Sequence, residues 1–123
     1  MAGEPKPLRF GREMRLKQSR DFARVRQEGR RMVCGCFIAN WRVLPPGSGM
    51  KLGVITAKKL GGAVVRTRAR RLLREVFRLH QHDFLQPVEL VLVAQRTIVD
   101  MGLRDVEEAF LTMLRKGRLL KTE

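Results

Sequence analysis

Residues 58–78, KKLGGAVVRTRARRLLREVFR, constrain this chain more than any other stretch. They hold eight cations, Lys58, Lys59, Arg66, Arg68, Arg70, Arg71, Arg74 and Arg78, against one acid, Glu75. The apolar residues Val65, Ala69, Leu72, Leu73, Val76 and Phe77 recur at helical spacing. Wound at about 100° per residue, Arg66, Arg70, Arg71, Arg74 and Arg78 fall on the side of one helix opposite these apolar residues. One side can enter a core while the other presents guanidinium groups, with Arg66, Arg70, Arg74 and Arg78 in a row one turn apart. Like charges at that spacing oppose the helix by about 0.2–0.5 kcal/mol per pair. A solvated helix usually mixes signs, so this face points to an external anion. Planar guanidinium forks suit phosphate oxygens.

Composition agrees. Twenty-six Lys and Arg against twelve Asp and Glu leave a net charge of +14, a balance that favours nucleic acid or an anionic surface. A chain of 123 residues with 44% hydrophobic content predicts one domain with a core of its own. Its longest apolar run, Val88 to Ala94, is interrupted by Glu89 and is far shorter than the roughly 18 residues a membrane helix needs. The first residues lack the apolar segment of a secretory signal, so the expected location is cytoplasmic. Cys34 and Cys36 are one residue apart; packing, rather than a disulfide or a zinc site, is the expected role.

Residues 1–14, with Gly3, Pro5, Pro7 and Gly11, predict a flexible basic arm. Ser19 is positioned to cap a helix that runs to Glu28 and stops at Gly29. Residues 32–44 predict one long strand, with Phe37, Ala39 and Trp41 on one face and Ile38, Asn40 and Arg42 on the other. After the turn residues 45–49, a strand over 51–57 is expected to return antiparallel as a hairpin. A glycine-containing basic loop, 58–63, leads into the arginine helix, and 79–87 is a connector. The third strand, 88–95, is apolar enough to be buried on both faces. Asp105 with Glu108 predicts the start of a last helix, whose stripe is Val106, Ala109, Phe110, Met113 and Leu114. The domain is expected over 15–118, with a tail at 119–123. The order helix-strand-strand-helix-strand-helix gives an α+β fold of two layers.

No pair of carboxylates, and no Ser or Cys with a base and an orienting partner, suggests protein-borne catalysis. His80 and His82 are expected at the surface. The residues describe a polyanion binder, either of structured RNA or of DNA through the arginine helix in a major groove. A DNA-reading helix usually adds Asn or Gln, and residues 66–78 contain neither. A membrane-surface helix is disfavoured because its apolar side is needed for the core.

The segment GVITAKKLGGAVVRTRARRLLREVF resembles the signature region of the bacterial ribonuclease P protein component, in which a lysine pair and a glycine-containing loop precede a helix opened by Arg-Asn-Arg. Upstream, RLKQSRDFARVRQEGR is similar to the family's first helix, with Leu16, Asp21, Phe22, Val25 and Gly29 at the matching positions. The resemblance spans about residues 15–115. It implies a small mixed sheet with helices packed on it and a left-handed crossover between the strands at 51–57 and 88–95, although general rules favour the right-handed form. It also implies a non-catalytic protein subunit that binds ribonuclease P RNA and the 5′ leader of precursor tRNA. The RNA then removes the leader with Mg2+ that is bound mainly by the RNA. A ribosome-associated or other structured-RNA binder is the alternative.

Carried onto this chain, the resemblance makes Lys58, Lys59, Arg66, Thr67, Arg68, Arg70, Arg71, Arg74 and Arg78 the RNA-binding set. Phe22, Arg26, Ile38 and Asn40 become the walls of a leader cleft, with simple core packing as the other role open to Phe22. Neither a metal ligand nor a catalytic residue is expected in the protein. The chain departs from the family pattern at Thr67 and Gly62, where Asn is usual, and at Arg26 and Asn40, where aromatic residues are common. Each lost ring removes a stack worth about 1–3 kcal/mol.

Overall fold

The most apolar strand decides the sheet. In the computed structural model, which describes residues 8–121, Val88–Ala94 (β4) is buried along almost its whole length. A strand covered on both faces belongs in the middle of a sheet. Accordingly β4 lies between Phe37–Val43 (β2), to which it is antiparallel, and Lys51–Ile55 (β3), to which it is parallel. The expected hairpin between the first two strands therefore does not form. Its turn signals are real, since Ser48 N–H donates to Pro45 O. The chain nevertheless only leaves the sheet there and returns on the far side of β4.

The expected long strand over 32–44 is also two strands. Arg30–Val33 (β1) turns at Gly35, whose φ of +79° suits glycine, and pairs antiparallel with β2. The sheet order is β1-β2-β4-β3. The thiols thus flank a turn rather than share a strand face. Cys36 is buried, Cys34 is half-buried, and burial pushes the Cys34 thiol up to about 11.

Ser19–Glu28 (α1), Ala63–His80 (α2) and Leu103–Lys116 (α3) are the helices. α2 connects the parallel neighbours β3 and β4, so the strand–helix–strand unit lies where it was expected. The full order is α1-β1-β2-β3-α2-β4-α3, an α+β arrangement with one strand more than expected. Ser19 is the first helical residue rather than the cap, and Gln18 occupies the cap position without a side-chain bond. α3 begins two residues before Asp105, which instead accepts a hydrogen bond from Gly102 N–H at 3.1 Å through Oδ2. That carboxylate satisfies one of the unpaired amides at the helix start. Lys58–Leu60 forms a short 3-10 turn within the expected loop.

α2 and α3 cover one face of the sheet. Ala69, Leu73, Val76 and Phe77 of α2 and Val106, Phe110, Met113 and Leu114 of α3 join Phe37, Ala39, Trp41, Leu90 and Leu92 in one buried cluster. Most of each expected stripe is buried, with Val65, Leu72 and Ala109 only half-buried at its edges. A second, smaller cluster is built from Leu16, Val25 of α1 and Val91, with Phe22, Ile55 and Val93 packed on it. No described helix is long and apolar enough to cross a membrane.

Residues 8–14, read from the sequence as part of a loose arm, are seated on the body; residues 1–7 lie outside the described residues. Phe10 meets the Phe77 ring edge-on at 5.8 Å, and Leu16 N–H donates to Leu52 O. The described part of the tail is docked as well. Leu119 is buried, and Lys121 N–H donates to Asp83 O.

Candidate nucleic-acid interface

α2 presents its cations because its apolar stripe is consumed by the sheet. Arg68 and Arg71 are exposed, while Arg66, Arg70, Arg74 and Arg78 are half-buried along its flank. Lys58 and Lys59 are exposed in the turn before it. The structure therefore brings the nine predicted RNA-facing residues onto one helix and its approach, and the protein uses several of them internally.

Arg68 donates to the carbonyls of Val99 and Met101, at 3.3 and 2.6 Å, and so ties α2 to the segment before α3. Arg70 donates to Thr56 Oγ1 at 2.6 Å and to Thr67 Oγ1 at 3.2 Å. Thr67 thus acts as an acceptor that orients its neighbour, a task one hydroxyl can perform. Arg78 forms a two-pronged pair with Glu75, at 2.9 and 2.7 Å, which holds the Glu75 carboxyl below its usual range. That pair takes up the single acid of the stretch. Arg71 and Arg74 have no carboxylate partner among the described residues. Burial, then the charges of Arg15 and Arg70, lower the Arg74 pKa, which marks crowded cations.

Arg15 was not part of the predicted set. It reaches the arginine row because the N-terminal segment docks beside α2, and its guanidinium sits 4.9 Å from the centre of the Phe10 ring. Alternation of basic and apolar residues in that segment was the only local signal.

The second predicted set is partly assembled. Phe22 is half-buried and lies against Gly53 of β3; a Cβ at residue 53 would approach the ring to 2.4 Å. Gly53 thus lets the ring lie on the strand, a role consistent with glycine inside a strand pattern. Phe22 also borders a cleft of about 400 Å³ shared with Arg12, Arg15, Lys17 and Arg74. Cross-strand register places Ile38 in a row with Val33, Val93 and Ile55. Ile38, Val93 and Ile55 are only half-covered, and Val33 is 62% exposed. Arg26, one turn after Phe22, is exposed. Asn40 departs from the expectation: it is 3% exposed, because α1 and the neighbouring strands close over that row, so it cannot form an open groove wall.

Sequence reasoning missed the group that holds α1 in place. Glu89, the one charge in β4, is 5% exposed. It accepts from Arg24 at 2.8 Å and from Arg42 at 3.0 and 3.1 Å. A charged residue within an apolar run was the available signal, because such a residue is buried only when paired. His80 was also misplaced at the surface. Its Nδ1 is 2.6 Å from Asp83 Oδ2 and its Nε2 is 2.6 Å from Glu107 Oε2. Burial lowers its pKa, but these two carboxylates outweigh burial and raise it above the ordinary value. His82 is exposed.

Comparison with known proteins identifies the family and the fold. The sequence model of the family described as Ribonuclease P matches residues 10–118. The chain is similar to the ribonuclease P protein component of Geobacillus sp. (strain WCH70), 30% identical over 112 residues, which is 91% of this chain and 97% of the relative. It is 32% identical over 117 residues to that of Dictyoglomus thermophilum, covering 93% and 96%. The fold is similar to the Staphylococcus aureus RNase P protein, with TM-score 0.78 and 23% identity over 88% of this chain and 98% of that one. It is also similar to the Thermotoga maritima RNase P protein, with TM-score 0.72 and 24% identity over 83% and 96%. A match spanning nearly the whole described chain, with relatives at this identity over almost their full length, means that this chain belongs to the ribonuclease P protein family.

Proposed function

We propose that this chain serves tRNA 5′ maturation as the non-catalytic protein subunit of ribonuclease P, binding the RNA subunit through α2 and the precursor leader beside α1. The observation that carries the reading is the basic side of α2, where Arg71 and Arg74 lack carboxylate partners among the described residues while Arg15 adds a further charge. Phosphates supply the missing counter-charge, and each contact releases counterions, so affinity falls steeply with salt. Arg68, Arg70 and Thr67 act mainly by shaping this surface. Lys58, Lys59, Arg66, Arg71 and Arg74 meet the RNA, and Arg78 stays with Glu75.

The leader lies along the half-covered row of the sheet, against Phe22 and Ile38, with Arg26 above it. One ring and an aliphatic row hold extended single strands with little base discrimination, since every base has a face to stack. The work takes place in the cytoplasm, where precursor tRNA is met. Hydrolysis belongs to the RNA, with Mg2+ held there. Among the described residues, no group of three or more His, Cys, Asp and Glu side chains is arranged to hold a metal ion.

The test is cleavage of precursor tRNA by a bacterial ribonuclease P RNA at low Mg2+, with and without this chain. Stimulation by the chain is expected. No stimulation, or cleavage by the chain without RNA, would contradict the reading.

A further inference from the structure

Between α2 and the docked N-terminal segment lies a cleft of about 650 Å³, within the range that holds small ligands. Part of its lining is apolar. Leu72 is half-buried, Leu103 is 37% exposed at the start of α3, and Phe10 supplies one wall. Its lining is also cationic, with Arg15 and Arg71 exposed and Arg74 half-buried. Its one acid, Glu75, is already held by Arg78. Arg68, which also borders the cleft, is held by two backbone carbonyls and fixes the position of the Leu103 end. The cleft therefore combines apolar side chains with guanidinium groups that lack a carboxylate partner among the described residues.

An anion alone would not need the apolar lining, and an apolar ligand alone would leave the guanidinium groups crowded. A nucleotide satisfies both, because its base is a flat, weakly polar face and its phosphate is an anion that accepts bidentate bonds from arginine. We propose that this cleft is a subsite for one unstacked nucleotide of the bound RNA, its base on Leu72, Leu103 and Phe10 and its phosphate on Arg71 and Arg74. This rests on the RNA-binding reading above and assigns it a specific pocket, distinct from the row beside Phe22. Arg15 over the Phe10 ring extends the platform, since a guanidinium plane also stacks on bases.

Leu103→Ser tests it with little risk to the fold, because the residue is 37% exposed at the first position of α3. The full chain is titrated with ribonuclease P RNA over a range of salt, beside a thermal melt. Leu103→Ser is expected to bind about fivefold more weakly, the order expected for losing part of a buried apolar contact with the base. The salt slope should stay unchanged, because no phosphate contact is removed. Leu85→Ser, at a residue 59% exposed and outside the cleft, controls for loss of a surface apolar group and should bind like the unaltered chain.

In parallel, methyl resonances of Leu72 and Leu103 are followed while adenosine 5′-monophosphate or ribose 5-phosphate is added. Only the former should produce ring-current shifts. The proposal is overturned if Leu103→Ser binds RNA as tightly as the unaltered chain. It is equally overturned if ribose 5-phosphate moves the methyls as much as the nucleotide does, or if only an acidic amphipathic peptide moves them. Loss of all binding to ribonuclease P RNA by the unaltered chain, with the nucleotide-specific methyl shifts retained, would instead remove the functional reading and leave the subsite standing.

Discussion

The sheet face beneath α2 and α3 buries Phe37, Trp41, Phe77, Phe84 and Phe110 in a continuous core, whereas the apolar cluster on the opposite side fully buries only Leu16, Val25 and Val91 among the described residues, beside the buried polar Asn40 and Glu89. The difference follows from helix coverage. Two long amphipathic helices pack on the first face, and one ten-residue helix packs on the second. The sealed face spends its apolar side chains on stability, and in doing so holds the cations of α2 outward. The open face leaves Ile38, Ile55 and Val93 half-covered beside Phe22. A chain of this size can therefore seal one side of its sheet and leave the other partly open.

Substitutions on the two faces should separate stability from binding. Phe110→Ala, on the sealed face, should lower stability by about 3–5 kcal/mol, as loss of a fully buried ring does, measured by denaturant unfolding. Phe22→Ala should cost clearly less stability, because the ring is only half-buried. It should also weaken precursor tRNA binding by about 1–3 kcal/mol while leaving mature tRNA affinity unchanged. An unchanged precursor-to-mature ratio would remove the open face from leader binding. Gly53→Val sharpens the same contrast. The added Cβ meets Phe22 at 2.4 Å, so the ring must leave, at a cost of about 1–3 kcal/mol for overpacking; the binding defect should match that of Phe22→Ala.

Smaller effects concern the surface of α2 and its far end. Arg71→Ala should leave the melting temperature in place and reduce the salt slope of RNA binding by about 0.7–0.9; an unchanged slope would exclude a phosphate contact there. His80→Gln probes the α2–α3 junction. The folded-state pKa of His80 is raised above 6.5, so the ion pairs with Asp83 and Glu107 contribute fully below about pH 6.5 and fade as pH rises through the folded value. The unaltered chain should exceed His80→Gln in stability at pH 6 by about 1 kcal/mol or less, and the gap should close on the alkaline side. A gap that widens with pH would contradict the sign.

Some of the site was legible in residues near one another in sequence. The arginine row and its buried stripe follow from spacing within one helix, and so did the stripe of α3. Where the reading failed, the missing partner was distant in the chain. Glu89 looked like an interruption until Arg24 and Arg42 met it. His80 looked like a surface residue until Glu107 arrived from α3. Asn40 had the right face for a groove, but its neighbours closed over it.

The sequence alone determined the helices, the cationic side of α2 and the central burial of β4, because each depends on periodicity or apolarity within a few turns of chain. Strand pairing was decided only in three dimensions. Backbone donors and acceptors are alike at every strand edge, so adjacency favoured a hairpin of β2 with β3. Burying both faces of β4 required it to stand between them instead. The same tertiary packing brought Phe10 and Arg15 to α2 and created the cleft there, since no local pattern specifies which surface an irregular segment will cover.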